Sequence, residues 1–359
     1  MTSQLSPREA FWRGRRVLLT GHTGFKGAWA LAWLHRMGAL VTGLSLPPNT
    51  NPALYDLIRG DQLCASIIGD LRDGAAVEAA VKASAPELVL HMAAQPIVRR
   101  AIADPIESIA TNVLGTAHLL QALRGCASVK AVLVVTSDKV YANDESGRAF
   151  LEDDRLGGKD PYSASKAAAE LVTSSFARSY FDALGVPVAT ARCGNIVGGG
   201  DYSQDRIVPD VIRAAQSGQA LTLRHPEATR PWLHVIDGVA GYLLYLEALS
   251  AGASLPRALN FGPFEDEGLP VQDVVRLMQE TLNCPAGWRH EPVAGSIEMR
   301  ALAVGSALAR ETLDWRDRIL GPERIRWTGR WHHDVAAGAD PRLRLYADLD
   351  AYMATGGAH

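Results

Sequence analysis

The sequence predicts an α/β protein, a doubly wound parallel sheet followed by a smaller lobe of mixed α/β character. Three observations carry this expectation. Short apolar runs with β-branched residues alternate with helix-patterned stretches over the first 195 residues, and such alternation calls for parallel pairing through right-handed crossovers. A glycine-rich turn, Gly21-His22-Thr23-Gly24-Phe25-Lys26-Gly27, separates the first run from the first helix. Beyond residue 195 the pattern loosens, interrupted at Gly198-Gly199-Gly200, Pro209, Pro226 and Pro231. The length of 359 residues agrees with two units at roughly 150 residues per domain.

Taken in order, residues 16–20 (Arg-Val-Leu-Leu-Thr) read as a strand and residues 28–34 as a helix that stops near Gly38. Residues 40–45 read as the next strand, 66–69 as a short strand, 75–85 as a helix and 88–91 as a strand. Residues 106–123 pattern as one long helix, 130–136 as a buried strand, 163–184 as a helix and 186–191 as a strand. In the looser part, helices are expected at 238–249 and 271–281, with a strand at 258–261 between them and a charged, loosely helical segment after Gly338. A first domain of residues 11–195, to which parts of 230–265 return, and a discontinuous second domain mainly of 196–359 follow from this reading. No internal repeat or low-complexity tract interrupts the chain.

Composition excludes more than it identifies. Thirty-six Lys and Arg against 39 Asp and Glu leave a formal charge of −3, so nucleic acid is not an expected partner. No apolar run is long enough to span a bilayer, and residues 1–16 lack the apolar centre of a signal peptide. Cys64, Cys126, Cys193 and Cys284 are scattered, with neither disulfide-framework nor metal-ligand spacing. A cytoplasmic protein without a metal or membrane partner is the expectation. The 33 glycines matter by position rather than by number.

Between a strand and a helix, Gly21-x-x-Gly24-x-x-Gly27 suits a dinucleotide. The first glycine permits the tight turn and the second lets backbone approach a phosphate. The third lets helix and strand lie close, and the helix N-terminus offers free N–H groups to the pyrophosphate. A structural turn in a glycine-rich chain is the plainer alternative. The acidic residue expected about 20 positions later is missing from Gly43-Leu44-Ser45-Leu46-Pro47-Pro48, and no arginine stands there for a ribose phosphate. NAD is therefore favoured over NADP. Ser45 either hydrogen-bonds a ribose hydroxyl or is a plain turn residue. Asp70, followed by Leu71, either meets an adenine edge or caps the next helix.

Tyr162 and Lys166 stand one helical turn apart. An ammonium beside a phenol favours phenolate, so the pair suits a base acting on a sugar hydroxyl during hydride transfer. An exposed helix turn is the alternative. Upstream, a strand ends in Thr136-Ser137-Asp138-Lys139. Adjacent Asp138 and Lys139 could supply the acid and base needed to remove water, or form a solvated pair in a loop.

Together the glycine turn, His91-Met92-Ala93-Ala94-Gln95-Pro96, Thr136-Ser137-Asp138-Lys139 and Asp160-Pro161-Tyr162-Ser163 with Lys166 resemble the extended short-chain dehydrogenase/reductase family. Within it, the closest resemblance is to the CDP-glucose 4,6-dehydratases. Residues 191–201, 205–210 and 230–235 extend that resemblance. It implies a Rossmann-type domain with bound NAD, a substrate-binding lobe and a lyase that makes a 4-keto-6-deoxy sugar nucleotide for deoxysugar biosynthesis. It implies catalytic roles for Ser137, Asp138, Lys139, Tyr162 and Lys166. Cofactor contacts are implied at Gly21, Thr23, Gly24, Phe25, Lys26, Gly27, Ser45, Asp70, Leu71, Ala93, Ala94, Gln95, Thr136, Tyr162 and Lys166. Substrate contacts are implied at Asn195, Arg206, Arg230 and His234, although His22, His91 and His234 read by themselves as structural or cofactor-adjacent. A homodimer or homotetramer is the implied assembly. Lys139 departs from the dTDP-glucose dehydratases, which carry Glu there, and a lysine acts as a base only when neutral. Another nucleotide sugar as substrate, 4-epimerisation, and nucleotide sensing without chemistry are the competing expectations.

Overall fold

The computed structural model describes residues 6–264, 268–284, 287–291 and 302–355. Seven parallel strands form the central sheet: β1 (Arg16–Thr20), β2 (Leu40–Ser45), β3 (Ala65–Ile68), β4 (Leu88–His91), β5 (Ala131–Val135), β6 (Val188–Cys193) and β7 (Ala258–Phe261). Their spatial order is β7-β6-β5-β4-β1-β2-β3. The chain lays down β1 to β3 in one direction, then crosses back to β4 and builds the other way. The reversal lies between β1 and β4, and open α/β sheets place their ligands in the crevice at the carboxyl ends of such strands.

Both faces of the sheet are covered, because alternate residues of each strand enter different cores. Leu19, Leu90 and Leu133 pack with α1 (Phe25–Arg36) and with Tyr242 and Leu243 of a later helix. Leu18, Val89 and Val132 pack on the opposite face with Val77 of α2 (Gly74–Ser84) and with Leu119 and Leu120 of α3 (Gly115–Leu123). Every residue of β5 is buried, which explains its unbroken apolar sequence.

The helices expected as single pieces at 106–123 and 163–184 are each widened inside. Ala110–Leu114 and Ala177–Phe181 are π-helical turns. The first turns Asn112 inward, where Nδ2 donates to Gln95 O at 3.1 Å and to Ser165 Oγ at 2.9 Å, and Oδ1 accepts from Gln95 N at 2.8 Å. Periodicity could not register a one-residue insertion of this kind.

The remaining chain contributes α4 (Pro161–Phe176), α5 (Ile207–Ser217), α6 (Val235–Ser250), α7 (Val271–Thr281), α8 (Glu323–Ala336) and α9 (Pro341–Thr355). Residues of α5, α7 and α8, among them Val211, Met278 and Ile325, share a third core with Trp232. Helix α6 and β7 belong to the sheet, and α9 lies back on α1, with Tyr352 edge-on to Trp33 at 5.8 Å. Neither α5 nor α8 was among the expected helices.

Candidate active site

The turn after β1 is built as a cradle. Gly21 has φ +77°, and a Cβ there would lie 2.7 Å from Ala93 N; at Gly27 it would lie 2.0 Å from Gly21 O. Both positions therefore exclude a side chain. Gly24 is exposed and meets only Gly21 O at 3.4 Å. It is also the N-cap of α1 and offers no capping side chain, so the first N–H groups of that helix point outward with positive partial charge. A cradle that admits backbone only, at the switch point of a parallel sheet, fits a dinucleotide pyrophosphate. Phe25 and Lys26 form the first turn of α1.

Other expected cofactor residues surround this turn with varied engagements. Thr23 Oγ1 lies 2.8 Å from Ser45 Oγ and donates to Leu46 O at 2.8 Å, tying the ends of β1 and β2 together. Asp70 accepts from Arg72 N and Nε at 2.9 and 3.0 Å, and that guanidinium holds its carboxyl below the usual range. Leu71 is buried, and its carbonyl lies 2.9 Å from His118 Nδ1. Ala93 N donates to Thr20 Oγ1 at 3.1 Å, and Ala94 continues the same loop. Two side chains turn away from the crevice. Gln95 is buried and spends its amide on Ser108 Oγ and on the backbone of Ile97. Thr136 Oγ1 donates to Glu170 Oε1. Buried polar groups must find partners, and the sequence motif did not reveal that these two find theirs behind the site.

The residues expected to act as acid and base come together at the end of β5. Asp138–Val140 form one 3₁₀ turn, started by Ser137, whose Oγ accepts from Lys139 N at 3.2 Å and donates to Asp138 Oδ1 at 3.0 Å. Asn195 Nδ2 donates to Asp138 Oδ2 at 3.0 Å, and Lys139 Nζ stands 3.8 Å from Asp138 Oδ1. Asp138 is 0% exposed. Gly194 makes room for it, because a Cβ at 194 would sit 1.9 Å from the carboxyl carbon. Asn195 itself is held at φ +49°, a backbone region that asparagine tolerates better than most residues.

Helix α4 carries Tyr162 and Lys166 to the same place. Asp160 caps it, accepting from Ser163 N at 3.0 Å. Lys166 Nζ donates to Val135 O at 3.1 Å. Burial first, and the Lys26 ammonium second, push Lys166 down to about 7. Burial raises Tyr162 above the ordinary phenol value, offset in part by the neighbouring Ser137 hydroxyl and by the Arg206 charge. This corrects the expectation that the neighbouring lysine lowers the tyrosine. Desolvation of the phenolate outweighs the nearby cations.

Of the expected substrate residues, Asn195 and Arg206 reach this cluster. Arg206 precedes α5, and its Nε is buried with no hydrogen-bond partner among the described residues. Arg230 lies elsewhere, lining a cavity of about 570 Å³ with Phe264, Gly305, Ser306 and Arg310. His234 does not face either space. It is 1% exposed, its Nδ1 accepts from Ile236 N at 3.4 Å as the cap of α6, and its ring lies edge-on to Trp29 and Trp327. Burial pushes it down to about 3. Its side chain is thus engaged in capping and ring packing, which matches its reading as a structural histidine rather than a substrate contact. Lys26, expected as a cofactor residue, also faces the chemistry. It makes no hydrogen bond or ion pair among the described residues, and burial holds its ammonium below the ordinary value, opposed in part by the Asp138 and Asp201 carboxylates.

Residues 17–262 match the model of the "NAD dependent epimerase/dehydratase family". The chain is 38% identical over 349 residues to a CDP-glucose 4,6-dehydratase of Salmonella typhimurium, covering 96% of this chain and 97% of that protein. It is 32% identical over 231 residues to a dTDP-glucose 4,6-dehydratase of Xanthomonas campestris, covering 61% of this chain and 64% of the other. Among solved structures, a UDP-glucose 4-epimerase of Thermotoga maritima superposes with a TM-score of 0.78 at 20% identity, covering 89% of this chain and 99% of that one. A dTDP-glucose 4,6-dehydratase of Streptomyces venezuelae with NAD bound gives 0.76 at 24% identity, with 91% and 99% covered. At such identities these two structures speak for the fold.

Proposed function

The chain belongs to the NAD dependent epimerase/dehydratase family, and from that premise we propose that it is an NAD-dependent 4,6-dehydratase converting CDP-glucose to CDP-4-keto-6-deoxyglucose and water. One observation carries the reading beyond family membership. An acid and a potential base, Asp138 and Lys139, are held 3.8 Å apart beside the tyrosine that begins the chemistry. A sugar-nucleotide 4-epimerase has no need of that pair.

Bound NAD would lie with its pyrophosphate on the Gly21–Gly27 turn and supply a hydride acceptor and donor for the sugar. In this reading Tyr162, as phenolate, takes the proton of the 4-hydroxyl, and the neighbouring Ser137 hydroxyl holds the same oxygen. Lys166, whose ammonium burial pushes down to about 7, first takes the phenol's own proton in its amine form and passes it on to solvent, leaving the phenolate that acts as base. The 4-keto group acidifies the hydrogen on carbon 5. Lys139 removes that proton while Asp138 protonates the leaving 6-hydroxyl. The pair thus begins as acid and amine and ends as carboxylate and ammonium, with its proton count unchanged. Lys139, partly exposed, exchanges with solvent and then delivers a solvent-derived proton to carbon 5, leaving Asp138 to regain one from solvent. Gly194 and Asn195 fix the carboxyl that must face carbon 6.

Arg206 is suited to the diphosphate near the reacting sugar. The cavity lined by Arg230 and Phe264 is suited to the nucleotide, since its lining includes cationic and aromatic side chains. We further propose a cofactor domain of residues 11–195 joined by α6 and β7, and a substrate domain from the later chain. Exposed Ile106, Ile109, Leu114 and Leu171 on the large domain support a dimer or tetramer through those helices. Among the described residues no helix is long and apolar enough to cross a membrane. The four unpaired cysteines suit a cytoplasmic enzyme.

The test is incubation of the pure protein with CDP-glucose and trace NAD in deuterated water. A 4-keto product, read by its absorbance in alkali and carrying deuterium at carbon 5, is expected. Turnover of a GDP-, UDP- or dTDP-hexose with none of CDP-glucose would reassign the substrate. A 4-epimer without label at carbon 5 would overturn the dehydratase reading.

A further inference from the structure

The acid–base segment is anchored from behind at both ends. Before it, Thr136 Oγ1 donates to Glu170 Oε1. After it, the Tyr141 hydroxyl accepts from Arg192 Nη1 at 2.9 Å and donates to Asn260 Oδ1 at 2.6 Å. The two anchors meet, because Arg192 Nη2 donates to Glu170 Oε2 at 2.9 Å, with side chains only 5% and 4% exposed. Asn260 Nδ2 donates onward to Phe150 O at 3.0 Å and Gly305 O at 3.2 Å. Gly305 also lines the cavity that holds Arg230. One buried network therefore ties the catalytic turn to strands β6 and β7 and to the wall of the proposed nucleotide cavity.

Tyr141 is the member closest to the chemistry without taking part in it. It is 1% exposed and its ring stacks on Phe150 at 5.0 Å. Burial pushes its phenol up to about 12, which keeps it a neutral donor and acceptor. It stands two residues after Lys139, at the C-terminal end of the Asp138–Val140 turn, where a displaced anchor moves the pair. Tyr162 and Lys166 ride on α4 and are held by that helix and by Val135 O, neither of which Tyr141 touches among its hydrogen bonds.

We propose that Tyr141, fixed by Arg192 and Asn260, is the positioning residue of the Asp138–Lys139 pair, governing loss of water from carbons 5 and 6 and not the hydride step at Tyr162. The inference rests on the dehydratase reading. Tyr141→Phe removes the two hydroxyl hydrogen bonds and keeps the stacked ring. Because a misplacement of the order of 1 Å costs about 10²-fold in rate, turnover of CDP-glucose should fall between about tenfold and 10²-fold.

The discriminating readout is isotopic, measured with CDP-glucose deuterated at carbon 4 or at carbon 5, alongside thermal melting to establish the fold. Expected is a carbon-5 isotope effect at or above that of the parent, with a carbon-4 effect at or below it. A rise in the carbon-4 effect, or turnover within twofold of the parent, would overturn the proposal. Should Tyr141→Phe not fold, Arg192→Lys is read by the same criteria, since it keeps the charge opposite Glu170 and loses the fork to Tyr141. A parent protein that makes no 4-keto product from CDP-glucose would instead sink the dehydratase reading, a result distinguishable from any of these.

Discussion

Gly194→Ala is expected to disable the acid while leaving the cofactor cradle intact. A Cβ at residue 194 would lie 1.9 Å from Asp138 Cγ and Oδ2. An ordinary carbon contact is about 3.5 Å, so the carboxyl must retreat by roughly 1.5 Å or the backbone must yield by the same distance. Asp138 is fully buried and already tied to Ser137 and Asn195, so any retreat breaks those hydrogen bonds. Overpacking of this kind costs about 1–3 kcal/mol of stability. Misplacement of a reacting group by about 1 Å or more costs on the order of 10²-fold in rate. Turnover of CDP-glucose should therefore drop by about two orders of magnitude, assayed through the 4-keto absorbance in alkali. NAD affinity, followed by quenching of tryptophan fluorescence, should change by less than about threefold, because the glycine cradle belongs to other segments. A folded variant that turns over within threefold of the parent would refute the reasoning, since Asp138 would then have tolerated displacement without consequence.

Further outcomes follow from other parts of the molecule. Glu170→Ala leaves the Arg192 guanidinium buried without its carboxylate and should lower stability by about 3–5 kcal/mol in urea unfolding; a loss below 1 kcal/mol would mean the pair is not needed. Arg230→Met should raise KM for CDP-glucose about tenfold or more, the scale of a lost charged hydrogen bond, while NAD binding stays unchanged; equal weakening of both ligands would contradict a nucleotide role. His234, held down to about 3 by burial, binds a proton more readily when unfolded, so its contribution to stability declines as pH falls from about 6.5 towards 3. His234→Asn, which keeps a capping side chain, should flatten the parent's stability profile across that window in denaturant titrations. Identical slopes would show that the histidine does not titrate on unfolding.

Much of the site was legible because its chemistry is local in the chain. The spacing of Gly21, Gly24 and Gly27 marks one turn, and at Gly21 and Gly27 a Cβ would collide with backbone. Asp138 and Lys139 are neighbours, and Tyr162 with Lys166 share a helix turn, so their types and spacing announced them. Arg192, Glu170 and Asn260 gave no such signal. They are separated by 22 and 68 residues from Arg192 and meet only because β6 lies between β5 and β7. His234 illustrates the opposite case, a residue inside a recognisable motif whose side chain is spent on capping a helix.

The sequence by itself determined the alternating architecture, the cofactor turn and the candidates for the reacting groups, since periodicity and short spacing are properties of contiguous chain. Only the tertiary structure decided how those groups are charged and held. Burial, rather than the adjacent lysine, governs Tyr162; the widened turn at Ala110–Leu114 directs Asn112 inward; and a network drawn from three strands and α4 fixes the catalytic turn. Desolvation and long-range hydrogen bonds depend on what packs around a residue, and that is settled by the order of strands in the sheet rather than by the order of residues in the chain.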